Sequence, residues 1–478
     1  MMRGLRGRYS LDRMRILLWH GYLLSGTGSN LYAANVAKSW RSSGHDVLVL
    51  CQDRRAGDLE FVDVAGDFAP SNDDAAFPLA AASIEGGRCR VVRPAIGRVL
   101  PVYVFDEYEG FTAKLFVDLT DAELAVYTDG NVRAMTAAIR AFAPDAIITG
   151  HEVMGPYIAR QACAVTGTSY LAKLHGSALE YAVKLQDRYL RYAIEGLSGA
   201  SVVVGGSRYM VQAAGAVIPG WEDKAVVVNP GCDIALFKPI EDRHWEQRLV
   251  GYVGKFIPAK GVHHLLAALG LTRASGISGV VVGFGGFEQG LQELWSAFRE
   301  GDFERVRAVA QRGDGHQPLT ELLQWLDSLE PKPRRAFSER ITNVALEWPG
   351  RLEHRPLARV LPRWTVLVAP SVVPEAFGMV AAEAAACGVF PIVPRHSGIG
   401  EIAAALEDVL ERPGLLSFDP SDPIEGLAAA IDKVLSLPVA EAAQARAAIV
   451  AVARELWSWD RAARRLVELA TQENSGKG

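Results

Sequence analysis

The sequence predicts an α/β protein with two doubly wound parallel sheets. Short apolar segments alternate with longer helical patterns through both halves of the chain, and each apolar segment is continuous. Continuous apolar segments are typical of parallel strands that are covered on both faces. Because each half repeats strand, helix, strand, we expect two Rossmann-like domains. The nine predicted strands are 16–19, 47–50, 146–149, 170–174 and 201–204 in the first half, and 249–253, 279–282, 365–369 and 390–393 in the second.

The length of 478 residues also favours two domains over one. An apolar run at 225–229 leads into Pro230-Gly231 and a polar stretch, a concentration of turn residues and charge that is typical of a domain boundary. We therefore predict an N-terminal domain at 1–235 and a C-terminal domain at 236–445. In 446–478 we expect a closing helix that returns towards the N-terminal domain, followed by a disordered tail.

Two regions contain more residues than a minimal Rossmann-like domain requires. Residues 287–346 carry helical patterns at 291–298, 303–309 and 319–326, where one helix would suffice. We predict a helical insertion there, which serves as a lid or a contact surface. Residues 53–120 contain polar loops and predict an added β or helical excursion.

Composition and charge argue against several classes of protein. A net charge of -5 argues against a nucleic-acid partner. Five scattered cysteines indicate a reducing compartment with neither a disulfide framework nor a zinc site. The run at 16–19 is too short for a secretory signal or a membrane span, so we expect a cytoplasmic protein. The basic segment 1–15 could contact an anionic membrane, but we favour a frayed arm.

The stretch from Glu375 to Glu383 is the strongest candidate site. A predicted strand ends just before it, so Glu375 lies in a loop at the carboxyl end of a strand, where open α/β sheets bind ligands. A helix begins near Phe377-Gly378, and its first amides are unpaired donors that attract hydroxyl or phosphate oxygens. Ionised carboxylates only accept hydrogen bonds and therefore suit the diol of a sugar or ribose. On spacing alone, Glu375 could equally be a solvated loop charge and Glu383 an early-helix charge favoured by the helix dipole.

The pattern of Glu, seven residues and Glu, with Phe-Gly after the first glutamate and Ala-Cys-Gly after the second, resembles family 4 of the retaining glycosyltransferases. The resemblance covers most of residues 14–470. It implies the GT-B architecture, two domains that face a central cleft, with the donor mainly on the second domain and the acceptor mainly on the first. It also implies that Glu375 contacts the donor sugar and Glu383 holds the ribose. The donor-binding amides would then belong to Phe377, Gly378, Met379 and Val380.

A second segment with the same resemblance is Val250–Gly261, at the end of a predicted strand. The family has a Gly-Arg and a Lys-Gly there, whose two cations hold the diphosphate, and these positions correspond to Lys255 and Lys260. Fixed cations stabilise the charge of a departing diphosphate. Lys255 replaces the commoner arginine and cannot bind bidentately, which leaves its role open. Two solvated loop lysines are the alternative.

The remaining predicted site residues lie at the ends of other strands. Gly26 and Gly28 form a glycine-rich turn before a helix, but they lack the third glycine of a dinucleotide-binding motif. The resemblance implies that Gly28 and Ser29 lie near the diphosphate, that His175 is directed at the donor sugar, and that Leu352 borders the base. A structural turn and a backbone-bonded loop histidine are the alternatives for Gly28 and His175.

The sequence contains no Asp-x-Asp pair, and we expect neither a cluster of histidines and cysteines nor a cofactor. We expect His263-His264 to cap a helix or face solvent. Lysines and helix amides would take the role of a metal. The resemblance therefore implies a metal-independent retaining glycosyltransferase that uses a nucleotide-diphosphate sugar. A sugar epimerase, which would need a base set that we do not find, and a non-catalytic nucleotide-sugar-binding protein are the alternatives.

Overall fold

The computed structural model describes residues 13–26, 28–75, 79–80, 86–104, 110–241 and 248–472. Residues 1–12 of the predicted frayed arm and the predicted disordered tail at 474–478 lie outside these ranges. The chain divides into two compact units. Unit 1 comprises the residues up to Asn229 together with those from Trp459 onward, and unit 2 comprises Pro230–Ser458.

Unit 1 contains ten strands and five consecutive helices in its described N-terminal part. In chain order they are β1 (Arg15–Trp19), α1 (Gly28–Ser42), β2 (Asp46–Leu50), β3 (Val64–Asp67), β4 (Arg88–Arg93), β5 (Val99–Val102), β6 (Thr112–Leu115), α2 (Asp121–Phe142), β7 (Ala146–Gly150), α3 (Gly155–Thr166), β8 (Leu171–Lys173), α4 (Asp187–Gly199), β9 (Val202–Gly205), α5 (Arg208–Gly215) and β10 (Ala225–Val227).

Eight of these strands form one parallel sheet in the order β10-β9-β8-β7-β1-β2-β4-β3, while β5 and β6 pair separately. The inner strands are fully buried because their side chains are apolar on both faces, as in Ile16–Trp19 of β1. Strand β1 pairs with both β2 and β7, so the direction of the winding reverses there. In sheets of this kind ligands bind at the carboxyl ends of the strands beside such a reversal.

Unit 2 follows the same plan with a smaller sheet. Its elements are β11 (Arg248–Lys255), α6 (Val262–Leu271), β12 (Ile277–Phe284), α7 (Glu288–Glu300), α8 (Phe303–Arg312), α9 (Thr320–Ser328), α10 (Pro331–Ile341), β13 (Ala345–Gly350), α11 (His354–Val360), β14 (Val366–Val368), α12 (Met379–Ala386), β15 (Phe390–Pro394), α13 (Ser397–Leu410), β16 (Ser417–Phe418), α14 (Glu425–Leu435) and α15 (Val439–Leu456).

The sheet of unit 2 is parallel, in the order β13-β12-β11-β14-β15-β16. Strand β11 lies between β12 and β14, so the winding reverses at β11. The carboxyl end of β11 and the loop after β14 therefore lie at the edge where a ligand is expected. All nine predicted strands coincide with observed strands, and the prediction of two doubly wound α/β domains is confirmed.

The predicted helical insertion contains α7, α8 and α9 at the three helical patterns, and also α10. The predicted excursion at 53–120 is built from β3, β4, β5 and β6. The five cysteines are buried and unpaired. Over the described ranges no single helix is long and apolar enough to span a membrane, although α14 and α15 pass such a test as a pair bent by 108°.

The last helix of the described chain, α16 (Trp459–Gln472), belongs to unit 1. The Trp40 indole on α1 donates a 2.8 Å hydrogen bond to the carbonyl of Ala463, and the Ser39 hydroxyl lies 2.6 Å from the Asp460 carboxylate. The division of the chain therefore differs from the predicted boundaries at 235 and 446. Helix α15 remains in unit 2, because it packs on α12 and α13.

Candidate functional site

The edge of unit 2 at the carboxyl ends of β11 and β14 carries most of the predicted donor residues. Lys255 is the last residue of β11 and is exposed. Lys260 ends a short 3₁₀ turn that connects β11 to α6. Glu375 lies in the loop between β14 and α12, and Leu352 lies in the loop after β13, partly buried against the core.

Lys260 and Glu375 are in direct contact. The Lys260 Nζ lies 2.5 Å from the Glu375 Oε1, and the two side chains are 32% and 21% exposed. Since the pair is neither buried nor fully solvated, both groups remain accessible to a ligand. This geometry argues against the alternative of independently solvated charges for these two residues.

The loop that carries Glu375 is fixed by the segment after β15. The Glu375 N–H donates to the Ser397 hydroxyl at 2.9 Å, and the Gly398 N–H donates to the Glu375 carbonyl at 2.8 Å. His396 Nε2 donates to the Ser371 carbonyl at 3.0 Å, and Nδ1 lies 2.9 Å from the Ser397 hydroxyl. A carbonyl only accepts, so Nε2 carries a proton. The Glu375 backbone therefore cannot move without breaking this network.

Helix α12 begins at the end of the same loop. Gly378, with φ +100°, precedes the helix, and a Cβ at this position would lie 2.6 Å from Ile399. Phe377 is buried, while Gly378, Met379 and Val380 are partly exposed. Among the described residues no backbone carbonyl accepts from the N–H groups of Phe377, Gly378 and Met379. These amides can therefore bind oxygen atoms of a ligand.

Glu383 has an environment unlike that of Glu375. Its side chain is 12% exposed, in the part of α12 that is buried on all sides, and its Oε1 lies 3.7 Å from Nε2 of His354. Burial, reinforced by the negative charge of Asp233, raises the pKa of Glu383 to about 8. From the spacing alone, Glu383 could have been a charged residue near the start of a helix, favoured by the helix dipole. That alternative does not fit, because the carboxyl group is buried and largely protonated at neutral pH.

The other predicted residues lie in unit 1. Gly28 is exposed and Ser29 is partly exposed in the first turn of α1. The neighbouring Asn30 is buried, donates to the Ser25 carbonyl at 2.7 Å and accepts from His20 Nε2 at 2.8 Å. Asn30 thus connects the glycine-rich turn to the carboxyl end of β1.

His175 follows β8 and is anchored through its backbone. Its N–H and that of Gly176 donate to the same oxygen of Glu152, at 3.0 and 2.7 Å. The imidazole of His175 remains directed towards that of His151, with ring centroids 4.7 Å apart. Burial lowers the pKa of His175 well below its usual value, and His151, Lys173 and His20 act in the same direction. His175 is therefore a neutral imidazole.

Buried polar side chains surround His175. Lys173 is 1% exposed, and burial lowers its pKa to about 7 although Glu152 opposes this shift. Burial raises the pKa of Glu152. The imidazole of His151 is stacked 5.8 Å from that of His20. Sequence reasoning did not identify His20, His151, Glu152 or Lys173. Their position at the carboxyl ends of β1, β7 and β8 is the signal that could have found them.

The prediction for His263 and His264 was wrong. Both residues lie in the first turn of α6, but each is only 1% exposed, because α6 is buried along nearly its whole length and packs against α7, α10 and α14. Together with Glu321 of α9 they form a compact cluster of potential metal ligands. The expectation that the chain has no cluster of histidines therefore needs correction.

Comparison with known proteins agrees with this architecture. Residues 27–231 match the family model described as a glycosyl transferase 4-like domain, and residues 332–454 match that of the glycosyl transferases group 1. Together the two matches span more than two thirds of the chain. No curated protein matches the chain.

Solved structures with a similar fold cover nearly the whole chain. Sucrose-phosphate synthase of Thermosynechococcus elongatus is 19% identical, with a TM-score of 0.60, over 97% of this chain and 100% of that one. HepE of Anabaena, in complex with UDP and glucose, is 16% identical, with a TM-score of 0.58, over 95% and 99%. An E. coli trehalose-6-phosphate protein bound with UDP-2-fluoro glucose is 10% identical, with a TM-score of 0.57, over 96% and 99%.

The fold and both family models define a glycosyltransferase of GT-B architecture. Within that class the chain belongs to the family 4-like glycosyltransferases.

Proposed function

We propose that the chain transfers a hexosyl or related sugar from a nucleotide-diphosphate sugar to an acceptor hydroxyl, with retention at the anomeric carbon and without a metal at the diphosphate. The observation that carries the proposal is the contact between Lys260 and Glu375, beside the amino end of α12. A cation, a carboxylate and free amides there match the parts of a donor, namely diphosphate oxygens and sugar hydroxyls.

Lys260 has two partners in this proposal, Glu375 and the diphosphate of the donor. Without a donor it neutralises Glu375 at 2.5 Å, and with a donor it also contacts the diphosphate. Lys255 and the first amides of α12 add positive charge at the same edge of the sheet. Preorganised positive charge stabilises the leaving diphosphate most strongly in the transition state, which is the role that a metal fills in other enzymes.

Glu383 suits the ribose. A protonated carboxyl group both donates and accepts hydrogen bonds, so it can bind a diol without the cost of burying a charge. Its pKa of about 8 favours the protonated form at neutral pH. Leu352 and the amides of Phe377, Gly378, Met379 and Val380 complete the donor residues of the proposal, with His175 as the contact to the donor sugar.

Retention follows if the leaving phosphate oxygen accepts the proton of the acceptor hydroxyl on the same face of the sugar. This route needs no nucleophile from the protein. Two of the structurally similar proteins are described with UDP and glucose or with UDP-2-fluoro glucose, so UDP-hexoses are the first donors to test.

Two substitutions separate binding from turnover. Glu383→Ala should weaken binding of the nucleotide about tenfold or more, while Glu375→Ala should lower donor hydrolysis and transfer about 100-fold with a smaller effect on nucleotide affinity. Calorimetry with UDP, GDP and ADP gives the affinities, and anomeric proton NMR of the product gives the stereochemistry. Glu300→Ala, on an exposed glutamate of α7, is the control.

The proposal fails if neither substitution changes hydrolysis or transfer. Product of inverted configuration would refute retention, and rates that depend on added Mg²⁺ or Mn²⁺ would refute metal independence at the diphosphate. Tight nucleotide binding without hydrolysis or transfer would identify a binding protein instead.

A further inference from the structure

The two histidines at the start of α6 have an unusual environment. His263 and His264 are each 1% exposed, and none of their four ring nitrogens has a hydrogen-bond partner. Their ring centroids lie 4.1 Å apart. Buried polar atoms in folded proteins are nearly always satisfied, so four unpartnered nitrogens in one place favour a binding site for a ligand there.

A carboxylate completes this group. Glu321, in the first turn of α9, is partly buried. One of its oxygens and one nitrogen of each histidine all lie within 4.8 Å of one another. Two imidazoles and a carboxylate are a zinc ligand set, which leaves one coordination position for water. In a tetrahedral site with bonds of about 2.1 Å the ligand atoms lie roughly 3.4 Å apart. Since the separations are at most 4.8 Å, side-chain rotations that shorten each of them by no more than about 1.4 Å would bring the three groups to that spacing.

The cluster shares no residue with the proposed donor site. His263, His264 and Glu321 all lie between residues 231 and 332, a segment that neither family match covers and that also contains Lys255 and Lys260. His263 and His264 belong to α6, which follows β11, and Glu321 belongs to α9 of the helical insertion. A metal would therefore connect the insertion to the rest of unit 2.

We propose that His263, His264 and Glu321 bind one Zn²⁺ ion that holds α9 against the amino end of α6. A Cβ at Gly261 would lie 3.4 Å from His264 Nδ1, so the cluster lies directly beneath the turn that carries Lys260. This inference does not depend on the proposed function, since the cluster contains none of the proposed donor residues.

Zinc binding is tested on the full chain, purified with its affinity tag removed. After incubation with ZnSO₄ and desalting, elemental analysis should find about one zinc per chain, and competition with a chromophoric chelator gives the affinity. Glu321→Gln removes the charge with little change of shape, and His264→Leu replaces the imidazole with an apolar side chain of similar size. Each should weaken zinc binding at least tenfold, because each removes a ligand.

Two control variants address adventitious binding. His316→Gln removes an exposed histidine from the loop before α9, and Asp327→Asn removes an exposed carboxylate from α9 itself. Both should keep the affinity of the unmodified chain. At one fixed concentration, Zn²⁺ should also raise the melting temperature of the unmodified chain and of both controls more than that of Glu321→Gln.

The proposal is overturned if the unmodified chain retains no stoichiometric zinc, or if Glu321→Gln binds zinc as tightly as the controls do. Should His264→Leu fail to fold, as judged by circular dichroism, the partly exposed ligand Glu321 still decides the question through Glu321→Gln. A coordination sphere of two imidazoles and a carboxylate, seen by X-ray absorption, would support the assignment independently of activity.

Discussion

At the scale of single residues, Glu383 links stability to pH. Its carboxyl group is 12% exposed and has its pKa raised to about 8 by burial. In the unfolded chain the same group loses its proton near its ordinary pKa of 4.5. Between these two values the folded state holds a proton that the unfolded state has released. This residue therefore lowers stability progressively as the pH rises from about 4.5 to about 8.

Glu383→Gln should remove that dependence. The amide stays neutral at every pH, so the variant should gain stability relative to the unmodified chain as the pH rises, by a few kcal/mol in total, because one pKa unit corresponds to about 1.4 kcal/mol. Urea unfolding at pH 5 and pH 8.5 without nucleotide measures the difference. An equal difference at both pH values would contradict the assigned pKa.

More of the candidate site residues could be predicted from the sequence in unit 2 than in unit 1. In unit 2 the glutamates and lysines lie in short, recognisable segments, and Lys260 and Glu375 are indeed in contact. In unit 1 the buried group around His175 was missed. His20 and His151 become neighbours only because β1 and β7 pair in the sheet. Such long-range pairing leaves no local pattern in the sequence.

At the scale of elements, the turn between β11 and α6 depends on a glycine. Gly261 has φ +68°, and a Cβ there would lie 1.9 Å from the Pro370 carbonyl oxygen. Gly276, before β12, has a similar φ of +70° but no atom within 4 Å of a Cβ. A side chain at either position would therefore suffer the same strain of a left-handed backbone conformation. Only at Gly261 would its Cβ also collide with a neighbouring atom.

Gly276→Ala should cost about 1 kcal/mol, from the left-handed conformation alone. Gly261→Ala should cost at least about 2 kcal/mol more, because the backbone of Pro370 or of the turn must move. It should also weaken nucleotide binding, since Lys260 is the preceding residue. Thermal unfolding and nucleotide calorimetry of both variants measure these effects, and equal losses in the two variants would contradict the argument.

The strands and the helix that were not predicted from the sequence have interrupted hydrophobic patterns. Strand β4 contains Arg90, which is 1% exposed and pairs with the buried Asp46 at 3.2 Å, so a buried charge breaks the apolar run. Strand β13 is at the edge of its sheet and alternates between exposed and partly buried residues. Helix α10 begins with Pro-Lys-Pro. Eight of the nine predicted strands, by contrast, contain no charged residue, and in the ninth, at 170–174, Lys173 is the single charge.

At the scale of the whole molecule, unit 1 is built from two separate parts of the chain. Helix α16 contributes Leu466, Val467 and Leu469, which are 0%, 0% and 5% exposed, to unit 1. Burying side chains of this type contributes roughly 1.5–3 kcal/mol each. Their sum is comparable to the total stability of a typical domain, about 5–15 kcal/mol.

A chain that ends at Ser458 should therefore lose the folded state of unit 1 and keep that of unit 2. Scanning calorimetry should show one unfolding transition fewer than for the full chain. A chain that ends at Gln472 keeps α16 and is the matched control, with both transitions unchanged. Two unaltered transitions in the shorter chain would show that α16 is dispensable.

The return of α16 to unit 1 also has a consequence for biosynthesis. Trp459 leaves the ribosome about 230 residues after Asn229, which corresponds to roughly 10–50 s at ordinary rates of synthesis. Unit 2, being continuous in sequence, can finish folding first. For that interval the face of unit 1 that receives α16, including Trp40, is exposed on the nascent chain, where it is available to chaperones before its own helix arrives.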